Sequence, residues 1–151
     1  MKKESVYKKV LEFKKRHSLT ISFRNKAHAK VIDIHLNPDE KILYAFCGQK
    51  NRSHSEIFSS CIVALTDKRI LIGQKRVLWG YFYTTITPDM FNDLSISAGL
   101  IWGRVVIDTA KEVVHISNID KSALDEIETA ITSHMMEEKK KYKERKTELD
   151  K

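Results

Sequence analysis

The chain has few side chains whose type and spacing could support catalysis or metal binding. Its two cysteines, Cys47 and Cys61, form no Cys-x-x-Cys motif and are predicted to be reduced, buried thiols. None of the six histidines lies in a His-Glu-x-x-His motif. His28 and His35 could share one face of a helix, but no third metal ligand accompanies them. The sequence therefore predicts no metal site and no cofactor.

The sequence also shows no motif for a nucleophilic serine. Ser59 and Ser60 lack the Gly-x-Ser-x-Gly context of a strained nucleophile turn. Asp67, Lys68 and Arg69 are predicted to form a turn in which the Asp67 side chain bonds to the backbone N–H groups that follow it. A catalytic triad could be assembled only by free choice among scattered residues, so the chain is predicted not to be an enzyme.

Four cations form the candidate anion site, because they fall in the loops after the first and third predicted strands. If those loops lie near one another in the fold, their side chains could form an anion pocket. The alternative is that the charges are simply solvated. The four residues are Lys50, Arg52, Lys75 and Arg76.

Aromatic residues form a second candidate site. The segment 77–86 is predicted to be one long strand, whose alternation directs Leu78, Phe82 and Ile86 into the core. The aromatic residues between them would then face solvent, the N-terminal segment or another chain. The candidate interaction surface consists of Trp79, Tyr81, Tyr83 and Trp102.

Composition favours one globular domain. The chain has 151 residues, of which 42% are hydrophobic, with only five glycines and two prolines. No apolar run approaches the roughly 20 residues that span a bilayer. The N-terminus has lysines without a following apolar run, so it does not read as a signal peptide, and a cytoplasmic location is expected.

The net charge of +7 is placed unevenly. Residues 1–36 hold 10 Lys and Arg against 3 Asp and Glu, residues 37–119 hold 9 against 8, and residues 120–151 hold 8 against 9. A negatively charged partner would therefore be expected to meet the N-terminal segment.

Short runs of β-branched and aromatic residues, separated by polar turns, predict an antiparallel meander. The segment 61–86, CIVALTDKRILIGQKRVLWGYFYTTI, reads as three consecutive strands with two tight turns. Seven strands are predicted in all, at 41–48, 57–65, 70–72, 77–86, 92–97, 100–108 and 112–117.

Helical spacing is found at both ends of the chain. Residues 5–17 place Val6, Val10 and Phe13 on one stripe, with Ser5 as a possible cap. Residues 19–23 could be a short strand or an extended link, and 25–35 fits a helix better than a strand. A C-terminal helix is predicted from about Asp120, with a buried stripe of Leu124, Ile127, Ile131 and Met135.

Three segments resemble bacterial pleckstrin-homology (PH) domains, particularly the YokE-like group. Residues 62–71, IVALTDKRIL, resemble that family's valTnkRli signature. Residues 100–109, LIWGRVVIDT, resemble its llfGkitiet segment, and residues 38–43, PDEKIL, resemble its pgEkil entry to the first strand.

The resemblance implies a mainly β, α+β fold: a partly open antiparallel barrel of seven strands capped by a C-terminal helix. Residues 1–36 would form a basic helical extension, 37–136 the PH-like domain and 137–151 a charged helical tail. The second strand lacks the Lys-x-Arg pattern of lipid-binding eukaryotic PH domains, which disfavours phosphoinositide binding.

The favoured hypothesis is a non-enzymatic module that binds a protein or a second copy of itself. The alternative is peripheral attachment to an anionic membrane through the basic amphipathic helix at 5–16. Nucleic-acid binding would draw on the same charge but lacks a known reader motif and is the least expected.

Overall fold

The structure, a computed structural model, describes residues 5–50 and 59–151. Three α-helices, one short 3₁₀ turn and seven strands lie within these residues. The helices are α1 (Val6–Arg16), α2 (Asn25–Asp33) and α3 (Leu124–Leu149), and the 3₁₀ turn is Lys121–Ala123. The strands are β1 (Ile42–Lys50), β2 (Ser60–Thr66), β3 (Ile70–Lys75), β4 (Tyr81–Ile86), β5 (Phe91–Ala98), β6 (Trp102–Thr109) and β7 (Val113–Asp120).

The strands form one antiparallel sheet in the order β4-β3-β2-β1-β7-β6-β5, curled into a half-barrel. Strand β2 is buried along its whole length. A strand alternates its side chains between two faces, so β2 must be covered on both sides of the sheet. The predicted PH-like fold, seven strands with helices at both ends, is confirmed.

Helices α1 and α2 supply cover for the first half of the sheet. Val6, Val10 and Phe13 are fully buried, and the Lys8 N–H donates to Ser5 Oγ at 3.2 Å. Helix α2 packs on β2 and β3. It lies so close that a Cβ on Gly73 would sit 2.7 Å from Ile32 Cγ1, so the glycine permits the approach. The predicted N-terminal stripe therefore belongs to the core.

The segment between α1 and α2 is an extended link, one of the two predicted options. Among the residues that the structure describes, β1 pairs with β7 at Gln49–Ser117 and Lys50–Ile116. Beyond those pairs the link runs beside β7: the Ile21 N–H donates to Asn118 O at 2.9 Å, and the Asp120 N–H donates to Thr20 Oγ1 at 2.9 Å. The link thus satisfies backbone groups of β7 that β1 leaves unpaired.

Helix α3 packs against β5 and β6 and closes the core as predicted. Ile127, Ile131 and Met135 are fully buried, and Leu124 nearly so. Asp120 Oδ1 accepts the Ser122 N–H at 3.0 Å, which caps the 3₁₀ turn leading into the helix. From residue 140 onwards every residue of the helix is exposed.

One strand prediction is wrong. Residues 77–80 form a turn, closed by the Arg76 N–H donating to Gly80 O at 3.1 Å, and β4 begins only at Tyr81. Leu78 is therefore 80% exposed rather than inward. Phe82 shares a face with the buried Ile86 but lies opposite Gln74, past the last buried pair of β3, and is 52% exposed.

Candidate interaction surface

The β3–β4 hairpin ends in three consecutive exposed apolar residues, here called the apolar tip: Val77, Leu78 and Trp79. Their side chains are 71%, 80% and 78% exposed. Gly80 closes the turn with φ of 81°, a backbone conformation that glycine adopts without strain. These three large apolar side chains contribute nothing to the core. Adjacent exposed apolar side chains of this size are unusual on a surface that binds no partner.

A groove of about 340 Å³ runs along one side of the tip. The Arg76 guanidinium lies over the Phe82 ring, 5.0 Å from its centroid, so this cation is held against the aromatic surface. The groove is lined by Gln74, Lys75, Arg76, Val77, Leu78, Trp79 and Phe82. Tryptophan and arginine, represented here by Trp79 and Arg76, are among the residue types enriched at binding hot spots.

The outer face of β4 contacts the end of the N-terminal segment, one of the predicted alternatives. The His35 ring stacks on Tyr83 with centroids 3.9 Å apart, and lies 5.4 Å from Tyr81. The Tyr83 hydroxyl also accepts a hydrogen bond from Arg69 Nη1 at 3.0 Å. Tyr83 is thus held within the domain, whereas Tyr81 remains 47% exposed.

Trp102 does not join this surface. It starts β6, and four strands separate β6 from β4 in the sheet. Its indole Nε1 donates to Leu19 O at 2.7 Å, so the ring holds the α1–α2 link. Trp102 is 38% exposed, beside Leu100 at 89% on the β5–β6 turn.

Two of the four cations of the candidate anion site reach the same end of the sheet. Lys50 ends β1 and Lys75 ends β3, and these strands run in the same direction on either side of β2. The Lys75 N–H donates to His28 Nδ1 at 2.7 Å, which ties this end of β3 to α2. Arg52 lies outside the described residues, and anion binding at Lys50, Lys75 and Arg76 stays a prediction.

The edge position of β4 could not be predicted from residue type or spacing. Within residues 5–50 and 59–151, β4 pairs with β3 and with no other strand. A groove of about 320 Å³ lies beside its second half, between β4 and the β6–β7 turn. The groove is lined by Tyr83, Thr84, Thr85, Ile86, Met90, Thr109, Lys111 and Glu112.

The turn between β2 and β3 is structural, but Asp67 does not play the predicted part. Thr66 Oγ1 accepts the N–H groups of Lys68 and Arg69, each at 3.1 Å. Asp67 instead accepts the Lys41 N–H at 2.9 Å and so anchors the start of β1. Arg69 turns inward and pairs with the buried Glu40.

Residues 36–133 match the family described as bacterial PH domains. The chain belongs to this family. A solved pleckstrin homology domain from Shewanella amazonensis SB2B is also similar, with 13% identity over 72% of this chain and 86% of that chain and a TM-score of 0.41. No curated protein is significantly similar. PH domains are in general non-catalytic interaction modules.

Both cysteine thiols of this PH domain lie in the core. Burial raises the pKa of Cys47 to about 11 and that of Cys61 to about 12, so both thiols stay protonated and unreactive near neutral pH. Among the described residues, no three His, Cys, Asp or Glu side chains are grouped to hold a metal. No helix in that part of the chain could cross a membrane.

Proposed function

We propose that this PH domain is a protein-binding module and that its contact surface is the β3–β4 hairpin. The observation that carries the proposal is the apolar tip, because Val77, Leu78 and Trp79 are exposed side by side. Burying such side chains against a partner releases about 25 cal/mol per Å² of apolar surface. The open edge of β4 continues the same surface with backbone donors and acceptors.

The membrane alternative through α1 has less support. The stripe it needs is fully buried at Val6, Val10 and Phe13, so these side chains are not available to a lipid interface. Only the basic outer face remains, and attraction by exposed charges alone is screened by salt. Placement in the cytoplasm and membership of the YokE-like group remain predictions beside this proposal.

A photo-crosslinking amino acid placed at Leu78 in the full chain tests the proposal in cells. Leu100 is the matched control, because it is also a strongly exposed leucine on a hairpin turn. We expect a discrete protein adduct from position 78, at least tenfold stronger than from position 100. Mass spectrometry of the adduct identifies whether the partner is a second copy of the chain or another protein.

Absence of a protein adduct at position 78 overturns the proposal. A vesicle-binding assay distinguishes lipid binding from protein binding. If the chain co-sediments with vesicles of anionic phospholipid in 150 mM salt and Leu78→Glu abolishes this, the apolar tip is a lipid-binding element instead. We expect no co-sedimentation above the level seen with neutral vesicles.

A further inference from the structure

We infer that the partner of the β3–β4 hairpin is a second copy of this chain, joined by antiparallel pairing of β4 with β4. The inference rests on the proposed function and names its partner. It would extend two half-barrel sheets into one continuous sheet through a two-fold axis, the commonest symmetry of homo-oligomers.

The backbone of β4 offers hydrogen-bonding groups on its open side at alternate residues. The Arg76–Gly80 hydrogen bond belongs to the same register as the β3–β4 pairs, so the bonded positions on β4 are 82, 84 and 86. The Thr66–Arg69 bond gives the same result from the other side of β3. Tyr81, Tyr83 and Thr85 therefore direct their N–H and C=O groups away from β3.

This edge lacks the features that normally prevent strand pairing. The six residues of β4, YFYTTI, contain no charge, no proline and no glycine, and all favour β-structure. The other edge of the sheet, strand β5, does have such features. Strand β5 carries the charged Asp93 and has a register shift between Phe91 and Asp93. The Lys139 ammonium of α3 also donates to Phe91 O at 2.5 Å.

A two-fold axis perpendicular to the sheet keeps each face on its own side, and directly opposite residues of antiparallel strands point to the same face. The residue at the centre of the pairing must therefore lie opposite the same residue of the second copy. Centring the axis on Tyr83 pairs Tyr83 with Tyr83 and Tyr81 with Thr85 of the second copy. All three residues with outward backbone groups are then used. The facing side chains are aromatic with aromatic and aromatic with β-branched, which are stabilising cross-strand pairs.

The same register gives the apolar tip a place to bury its side chains. Gly80 lies opposite Ile86 of the second copy, so Trp79 extends past that residue towards the turn that contains Met90. The groove beside β4 in the second copy is lined by Ile86, Met90 and Thr109 among others. The tip of each copy would thus reach the groove of the other, in the self-complementary manner of a two-fold interface.

Charge does not oppose self-association at this strand. The net charge of +7 lies almost entirely in residues 1–36, so contacts through that segment would bring like charges together. Strand β4 is uncharged, and each pair in the Tyr83-centred register is neutral. The flanking Lys75 and Arg76 lie on the preceding strand and turn, outside the paired segment.

Cysteine crosslinking of the full chain tests the register. In Tyr83→Cys the two thiols face each other in a hydrogen-bonded pair, with Cα atoms about 5.5 Å apart, a distance that suits a disulfide. In the matched variant Thr84→Cys, each thiol faces Phe82 of the other copy, and the two cysteines lie on a diagonal at roughly 7–8 Å. Native Cys47 and Cys61 are fully buried and do not compete.

We expect the wild-type chain to sediment as a monomer–dimer equilibrium, and Tyr83→Cys to form the intermolecular disulfide at least tenfold faster than Thr84→Cys. Hydrogen exchange needs no variant: the amides of Tyr83 and Thr85 should gain protection as protein concentration rises. Those of Thr84 and Ile86, bonded to β3, should be protected at every concentration.

A chain that sediments as a monomer throughout, or exchange at Tyr83 and Thr85 that is independent of concentration, overturns the self-pairing. Faster crosslinking by Thr84→Cys overturns the register and the place it gives the apolar tip. A monomeric chain whose position 78 crosslinks to a different protein overturns the self-pairing and leaves the proposed function standing. Without any protein adduct at position 78, the proposed function fails as well.

Discussion

The Arg69 guanidinium donates two hydrogen bonds to the Glu40 carboxylate, from Nε to Oε2 and from Nη2 to Oε1, each 3.0 Å long. The Glu40 side chain is fully buried, and Thr66 Oγ1 donates to its Oε2 at 2.6 Å. Burial alone would raise the pKa of Glu40, but the hydrogen bonds from Arg69 and Thr66 lower it to about 2. The pair joins the entry of β1 to the β2–β3 turn.

Breaking this pair should destabilise the domain strongly. Glu40→Gln leaves the largely buried Arg69 charge without its counterion, and removal of one partner of a buried ion pair costs about 3–5 kcal/mol. Asp39→Asn is the matched control, because its partner Lys68 and Asp39 itself are 48% and 75% exposed. We expect the control to change the free energy of urea unfolding by less than about 1 kcal/mol. Equal effects of the two variants would contradict the structural role of the buried pair.

Acid should weaken the contact between α2 and β3 through His28. Burial, and then the charge of Arg24, lower the pKa of His28 to about 4, and its Nδ1 accepts the Lys75 N–H at 2.7 Å. Because His28 binds a proton more tightly in the unfolded chain, protonation favours unfolding. The contribution of neutral His28 to the free energy of unfolding is therefore complete above pH about 6.5 and is lost as the pH falls towards 4.

The expected loss from this histidine is up to roughly 3 kcal/mol, since each pKa unit corresponds to about 1.4 kcal/mol. Urea unfolding at pH 7 and pH 4.5 measures it. His28→Asn keeps a hydrogen-bond acceptor but does not titrate in this range, so its stability should vary much less between the two conditions. Glu40 acts in the same direction only below about pH 4.3. If the free energy of unfolding of His28→Asn falls with pH as much as that of the wild type, the acid sensitivity arises from other groups.

Helix α1 should be a structural part of the domain. Phe13 is fully buried, its ring 6.2 Å from that of Phe46, whereas Leu11 on the same helix is 46% exposed. Phe13→Ala should lower the free energy of unfolding by about 3–5 kcal/mol through lost burial and the cavity left behind. Leu11→Ala should be nearly neutral. Thermal melts that rank the two variants in the reverse order would show that the helix does not use this stripe for packing.

Helix α3 should depend on Ile127 in the same way. The side chain is fully buried, so Ile127→Ala should cost about 2–5 kcal/mol. Met136, which follows the last residue of the buried stripe and is 47% exposed, supplies the control Met136→Ala. Denaturant unfolding monitored by circular dichroism distinguishes them. Wild-type stability of Ile127→Ala would mean that another face of the helix closes the core.

Local pattern in the sequence was enough to predict most secondary structure. Runs of β-branched residues located the seven strands, because their side chains suit a pleated surface. Apolar spacing located α1 and α3 and their buried faces, including Phe13 and Ile127, because a helix repeats every 3.6 residues. The motif around Thr66 to Arg69 indicated the family, which the match over residues 36–133 bears out.

Only the tertiary structure decided where the core ends along each strand and which residues distant in sequence come into contact. Alternation predicted that Phe82 points inward with Ile86, yet Phe82 is exposed because the core does not extend beneath that end of β4. Glu40 and Arg69 are 29 residues apart, and their pairing depends on β1, β2 and the turn being in place. The edge position of β4 likewise follows from the order of strands in the sheet, a long-range property that neither propensity nor periodicity encodes.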